Sequence, residues 1–432
     1  VGERRSRALS FVGNRRKTRP KATAQREGQI MTFRSALAAA GFVFALVASA
    51  AAQKKYDPGA TDSEIKIGNT NPYSGPASSW GTIGTTLGAY FKMINDKGGV
   101  NGRKINFISL DDAYSPPKTV EQVRRLVEQD QVLFLFNNLG TATNLAINKY
   151  TNTKKVPHIF VGSGFHKWAD PEHFPWTIGW WPSYYTEGAI FGRYIKDNVP
   201  NPKVAILSQN DDAGREYIAG LKAGLGESAK SIVVAEATYE STDTTVDSQV
   251  IALKASGANV FFNGGTPKFV AQAIRKASEL DWKPVEIVPS TSSSVKSALQ
   301  PAGLEISKGL ITAQYIKDPT DPTWDKDPEV VEWREFMDKY YPSGSKSDYF
   351  NAYAAAVSAS LVHVLQQAGD NLTRENIMRQ ASNLKDVKVP LLLPGIHLNT
   401  SSTDFSPIEQ MQLAKFNGKN WELFGSLISS SK

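Results

Sequence analysis

Five histidines, one serine in a glycine-flanked loop and two adjacent pairs of aspartates are the residues of this 432-residue chain that could carry a reaction. Metal hydrolysis needs ligands on one face, as in H-E-x-x-H or H-x-x-x-H. His158, His166, His173, His363 and His397 offer neither spacing, and they read as scattered surface histidines. Ser163 lies in "FVGSGFH", but a nucleophile elbow, G-x-S-x-G, requires glycine where Val161 and Phe165 stand. Asp111-Asp112 and Asp211-Asp212 each follow a strand-like run, where solvated strand ends or helix caps account for acids without invoking acid–base catalysis. Phosphate-cradling glycine loops of the G-x-x-x-x-G-K-[ST] or G-x-G-x-x-G type are missing. Cysteine is absent, which removes thiol catalysis and cysteine-held metals. The expectation is a protein that is not an enzyme and needs no cofactor or metal.

Binding chemistry is better represented. The loops "SGPASSWG" (74–81), "NNLGTATN" (137–144) and "GSGFHKW" (162–168) each follow a strand-like run and are rich in small, hydroxyl and amide residues. Small residues let a ligand approach the backbone, and hydroxyls with free N–H groups at helix starts receive carboxylate oxygens. Trp80 stands bare in the first of these loops, either as a core plug or as the first surface a ligand touches. "GWWPSYY" (179–185) adds aromatic surface, its two tryptophans open to either role.

The elements that must hold these loops alternate strand and helix. Strand 65–69 leads to a helix over 82–97, with Ile83, Leu87, Phe91 and Ile94 at helical spacing and Gly98-Gly99 as its stop. Strand 105–110, a helix carrying Val120, Val123, Leu126 and Val127, the buried run "VLFLF" (132–136) and strand 156–161 complete a first series. After Trp181 a second series follows: helix 187–198, strand 203–207, helix 215–225, strand 232–239, helix 247–255, strand 260–263, helix 267–280 and strand 285–289. Beyond 309–315 the chain turns helical over 328–341, 349–368 and 374–383, then ends in a hairpin of 411–417 and 421–427. Two runs of β-α units predict two doubly wound parallel-sheet lobes, and the late helices are expected to return to the first.

The net charge of +7 is local. Ten of the 49 basic residues and two of the 42 acidic ones fall in residues 1–52, leaving the remainder at −1. The body is therefore neutral, with no expected affinity for nucleic acid. Residues 31–52 read as a signal peptide: a basic start at Arg34, an apolar run from Leu37 to Val47 and Ala50-Ala51-Ala52 before a cleavage expected at Gln53. Residues 1–30 resemble no targeting element and are expected to lie upstream of the native start, with Met31 the initiator. The mature chain is expected to be free in the periplasm.

"SGPASSWG" with "GAYFKMINDKGGVNGRKINFISLDD" (88–112), and further "AILSQNDDAGRE", "GANVFFNGGTP", "KGLITAQY" and "YFNAYAAAVSAS", resembles the leucine/isoleucine/valine-binding protein family. These are solute receptors of branched-chain amino acid-type ABC importers. The resemblance runs over about residues 64–430 and implies a type I periplasmic binding protein fold. In such a fold two α/β lobes joined by a three-segment hinge close on a ligand. It places lobe 1 in 64–178 and 317–392, lobe 2 in 179–316 and 393–432, with crossings near 177–181, 309–316 and 392–397.

Carried over by position, the resemblance implies that Trp80 covers the ligand side chain. Asn138, Gly140 and Thr141 fall in the loop that holds the ligand carboxylate. Ser163, Gly164 and Phe165 fall in a second such loop, Phe165 standing where threonine is common. Trp181 and Tyr184 add aromatic surface at the start of lobe 2. The amino-acid binders of the family clamp the ammonium with a glutamate after the proline of a later strand and with a tyrosine. Here Pro289 is followed by Ser290 and Thr291, and Gly265 and Thr266 occupy the tyrosine position. A buried ammonium without a carboxylate costs several kcal/mol, so the expected ligand is a carboxylate without an amine, an aromatic acid of benzoate or hydroxycinnamate type. The alternatives are a branched-chain amino acid met by Asp211 or Asp212, a short amide or urea, or a ligand-sensing receptor domain of the same fold. The expected partners are this carboxylate and the importer's permease subunits, with the protein itself monomeric.

Overall fold

The computed structural model describes residues 54–429. The segments read as an upstream extension and a signal peptide lie outside the described residues. Among the described residues no helix is long and apolar enough to cross a membrane.

Short strand β1 (Lys55–Tyr56) precedes β2 (Glu64–Asn71), whose Ile65 and Ile67 are buried. α1 (Gly81–Asp96) buries Ile83, Leu87 and Phe91 and ends where Gly98 and Gly99 take positive φ. β3 (Lys104–Asp111), α2 (Pro116–Arg124), β4 (Phe134–Phe136), α3 (Thr141–Thr153), β5 (His158–Val161) and β6 (Thr177–Gly179) follow. Strands β2 to β6 form one parallel sheet in the order β3-β2-β4-β5-β6. The order reverses between β2 and β4, and such a switch point opens a crevice at the carboxyl ends of the strands.

The second sheet repeats the plan. α4 (Tyr184–Asn198) leads to β7 (Val204–Gln209), α5 (Asp212–Leu225), β8 (Val233–Tyr239), α6 (Asp247–Ala255), β9 (Val260–Gly264), α7 (Pro267–Glu279), β10 (Val285–Ile287) and β11 (Ile311–Gln314). Strand order is β8-β7-β9-β10-β11, with the switch between β7 and β9. The terminal hairpin, β13 (Gln410–Phe416) and β14 (Trp421–Ser429), extends this sheet antiparallel from β11. β12 (Asn371–Leu372) pairs with β1.

α8 (Pro328–Tyr340), α9 (Tyr349–Ala368) and α10 (Arg374–Ala381) return to the first sheet's lobe. Asn351 of α9 accepts from Thr82 and Thr86 of α1 at 2.6 and 2.8 Å, and Arg374 donates to the carbonyls of Val132 and Leu133. The chain thus crosses after β6, after β11 and before β13. The last two crossings run side by side, with Lys317 N donating to Leu391 O and Leu393 N to Tyr315 O.

In the second lobe four glycines set the helix spacing. A Cβ at Gly188 or Gly192 of α4 would stand 2.5 and 2.2 Å from carbonyls of α5, and one at Gly220 or Gly224 of α5 would meet α4 carbonyls at 2.1 and 2.2 Å. Only glycine permits this approach. It brings Tyr184 and Tyr217 into a stack at 4.5 Å.

Candidate functional site

All four switch-point loops converge on one cavity. Trp80 ends the loop after β2, and Leu139, Gly140 and Thr141 follow β4. Asp211 follows β7, and Gly265 and Thr266 follow β9. The lobes meet beside it, where Trp80 Nε1 donates to the Thr291 carbonyl at 3.2 Å, and the cavity measures about 40 Å³. That is room for water rather than for an organic solute, so a solute of amino-acid size fits a wider separation of the lobes.

The first lobe presents donors. α3 begins at Thr141 without a side-chain cap, and the first N–H groups of a helix lack intrahelical partners. Its positive end therefore meets the cavity at Thr141. Thr141 Oγ1 and Ser163 Oγ share a hydrogen bond at 2.8 Å, and the Tyr184 hydroxyl interacts with both. Gly140 adopts φ +101, and a Cβ there would lie 2.5 Å from the Tyr114 ring. A carboxylate in this corner would find hydroxyls and a helix N-terminus together.

The second lobe presents an acid. Asp211 caps α5, with Oδ1 accepting from Gly214 N at 2.9 Å and Oδ2 from Gln209 Nε2 at 2.6 Å. Burial pushes its pKa up, partly offset by those two bonds. A carboxylate accepts about four hydrogen bonds, so two acceptor sites remain for a solute. Aromatic rings form the walls: Trp80 tilts on Tyr114 at 5.7 Å, and Trp181, Tyr184 and Tyr217 complete the lining.

Several positions expected in the site lie elsewhere. Asn138 is buried behind the cleft, its Nδ2 donating to Thr70 Oγ1, because its loop must brace β2 against β4. The Gly140 N–H, expected to face a carboxylate, donates instead to the Gly162 carbonyl at 3.1 Å. Ser163 stands one layer behind Thr141, while Gly164 packs against Pro182 O and the Tyr184 ring. Phe165 turns into an apolar cluster with Val161 and Trp168. Asp212 points outward to pair with Arg215 at 3.0 Å, since it is already helical and one residue past the cap. Ser290 gives both N–H and hydroxyl to Glu187, at 2.6 and 3.1 Å. The tryptophan pair divides: Trp180 is core, donating to Ser360 at 3.0 Å, and Trp181 lines the cavity. Tyr185 is solvent-exposed.

Sequence reasoning missed Tyr114, Gln209 and Tyr217 in the lining, and the buried acid Glu187 behind it. Glu187 also accepts from the Tyr217 hydroxyl at 3.0 Å, and burial raises its pKa to about 7 despite these bonds. His158 is no surface histidine: it is buried in β5, and burial pushes its pKa down to about 3, leaving it neutral. The acids at 111 and 112 serve as turn and loop acceptors, Asp111 for Ser74 and Asp112 for Thr119. Among the described residues no cluster of potential metal ligands occurs.

Residues 64–420 match the family model described as periplasmic binding protein. A Leu/Ile/Val-binding protein homolog 1 from Brucella abortus is 24% identical over 328 residues, 73% of this chain and 82% of that protein. A branched-chain amino acid ABC transporter structure from Thermus thermophilus with bound valine superposes with a TM-score of 0.77 at 16% identity, covering 86% of this chain and 98% of that one. A fatty acid ABC transporter substrate-binding protein from Thermomonospora curvata gives 0.73 at 20% identity, covering 87% and 95%.

Proposed function

The chain belongs to the periplasmic binding protein family, whose relatives here are solute-binding proteins rather than enzymes, and we propose that it captures a small amino acid for an ABC importer. The observation that carries the reading is the opposition across the cavity: Thr141 and an uncapped helix N-terminus on one lobe, Asp211 on the other. A zwitterion satisfies both ends, its carboxylate at α3 and its ammonium at Asp211, whose pKa burial raises although Arg215 lies near enough to lower it. The proposed mechanism is a population shift, in which solute contacts made only between closed lobes favour the closed form. The closed form is what the permease would receive. We place the export signal in residues 31–52 and the working protein in the periplasm as a monomer. The relatives named for Leu/Ile/Val and the structure holding valine support an amino acid.

The second reading is the aromatic acid expected from sequence, favoured by five rings in the lining. Asp211 would then accept a ring hydroxyl, as in a hydroxycinnamate. The argument that lobe 2 lacks an acid no longer supports this reading, because Asp211 faces the cavity. A thermal-shift panel of leucine, valine, phenylalanine, acetamide, benzoate and 4-hydroxycinnamate separates the two. A solute at a hundred times its dissociation constant stabilises by about 2.7 kcal/mol. Shifts with amino acids support the proposal, and shifts with the aromatic acids alone replace it with the second reading.

A further inference from the structure

Two buried carboxylates outside the cavity join one lobe to the other. Glu216 lies on α5 of the second lobe, and both its oxygens sit 3.1 Å from the backbone N–H of His166, on the loop after β5 of the first lobe. Ser183, in the crossing segment, donates to the same carboxylate at 3.3 Å. Asp348 caps α9 on the first lobe through Phe350 N at 3.2 Å. Across the seam its oxygens receive the hydroxyls of Ser294 and Ser297, on the second lobe, at 2.8 and 2.6 Å. Lys296 N donates to Ser347 O beside it at 3.3 Å. Glu216 and Asp348 are only 6% and 5% exposed, and neither lines the cavity.

We propose that Glu216 and Asp348 are positioning residues that latch the two lobes together, so that part of the free energy of closure is independent of the solute held. The inter-lobe partners of Glu216 are the backbone N–H of His166 and its imidazole, whose Nδ1 lies 3.4 Å from Oε2; those of Asp348 are two hydroxyls, with the Lys296 ammonium near enough to favour its charged form. Parting the lobes exchanges those bonds for water, and hydrogen bonds to charged groups are among the stronger ones a protein makes. Burial raises the pKa of both acids, the direction expected of carboxylates desolvated at a seam. The latches set how wide an equilibrium the solute must bias, and with it the capture affinity of any ligand.

The inference rests on the two-lobe binding-protein reading, but its test contains no solute. The chain lacks cysteine, so spin labels can be placed cleanly at Ser78 and Arg275, which face each other from opposite lobes at the mouth of the cleft. Pulsed electron resonance on the dialysed protein then gives the open and closed distances and their ratio. Ser297→Ala removes one hydroxyl and no helix cap, and Glu216→Ala removes the other latch. Each variant is expected to lower the closed-to-open ratio about tenfold, and Ser297→Thr, which keeps the hydroxyl, is expected to restore it. Should Glu216→Ala fail to fold, Ser297→Ala with its threonine rescue carries the test alone. Distance distributions for the folded variants that superimpose on that of the parent would overturn the proposal, whatever the solute panel shows.

Discussion

The two lobes share a strand order and place their switch points face to face, yet they equip them oppositely. In the first, the helix after β4 starts uncapped, with threonine and a serine hydroxyl behind it. In the second, the helix after β7 starts under a carboxylate that caps the helix and also faces the cavity. One fold plan thus yields a wall of donors and a wall that carries a carboxylate. The difference lies in one residue type at the end of one strand. What a doubly wound crevice binds is decided by which helix starts are satisfied internally and which are left for a ligand.

The supports differ as well. The first lobe positions its donors through loops braced by buried amides, Asn137 donating to Phe160 O and Asn144 to Asn138 O, each at 2.8 Å. The second relies on the glycine-to-glycine contact of α4 and α5. Gly220→Ala is therefore the most damaging small substitution expected here: a methyl group 2.1 Å from the Tyr185 carbonyl must push the helices apart. Overpacking of this kind costs roughly 1–3 kcal/mol or more. Urea unfolding should show that loss, and the Tyr184–Tyr217 stack should loosen with it. A Gly220→Ala protein of parental stability would show that the helix pair is not what sets this wall.

A smaller effect is read by pH. Glu187, in the second lobe, is raised to about 7 from an ordinary 4.5. The folded form therefore binds a proton more tightly than the unfolded one. Its stabilising contribution is complete below about pH 4.5 and is lost as pH rises through 7. The melting temperature should fall by a few degrees between pH 5 and 7.5, and Glu187→Gln should flatten that part of the profile. Glu286 and Asp318, raised to about 7 and about 6 by burial, share the sign and set the residual slope. An unchanged slope in Glu187→Gln would assign the effect to these and the other acids that burial raises, Asp112, Asp211, Glu216 and Asp348.

Most of the element pattern was legible in the sequence because long periodic helices and runs of β-branched residues carry it. Helices 247–255 and 349–368 have the expected bounds. The run 132–136 is strand only over 134–136; Val132 and Leu133 give carbonyls to Arg374, 242 and 241 residues away in the chain, where no local pattern reaches. α3 left no periodic signal, since its buried face is threonine and asparagine around Ile147. The site was legible where a loop follows a strand, at Trp80, Thr141, Gly265 and Thr266. It failed at the adjacent acids 211 and 212, whose roles depend on which of them is the cap. Asp211 is extended, φ −146°, so its carboxylate reaches over the helix start. Asp212, one residue on, is turned by the helix toward Arg215. No pattern separates neighbours that differ by a single dihedral step.

The central claim is that opposite walls hold opposite ends of a zwitterion. Calorimetric titration of leucine and of its deaminated analogue 4-methylpentanoate, into the parent protein and into Asp211→Asn, tests it most directly. Asparagine preserves the cap on α5 and removes the charge together with the oxygen that accepts from Gln209 Nε2. A hydrogen-bonded charge is worth about 1.5–3 kcal/mol, or roughly ten- to a hundredfold in affinity. The account predicts that leucine binds the parent that much more tightly than 4-methylpentanoate, and that Asp211→Asn erases the difference. Equal binding of the two by the parent, or a preference for the acid without the amine, would contradict it.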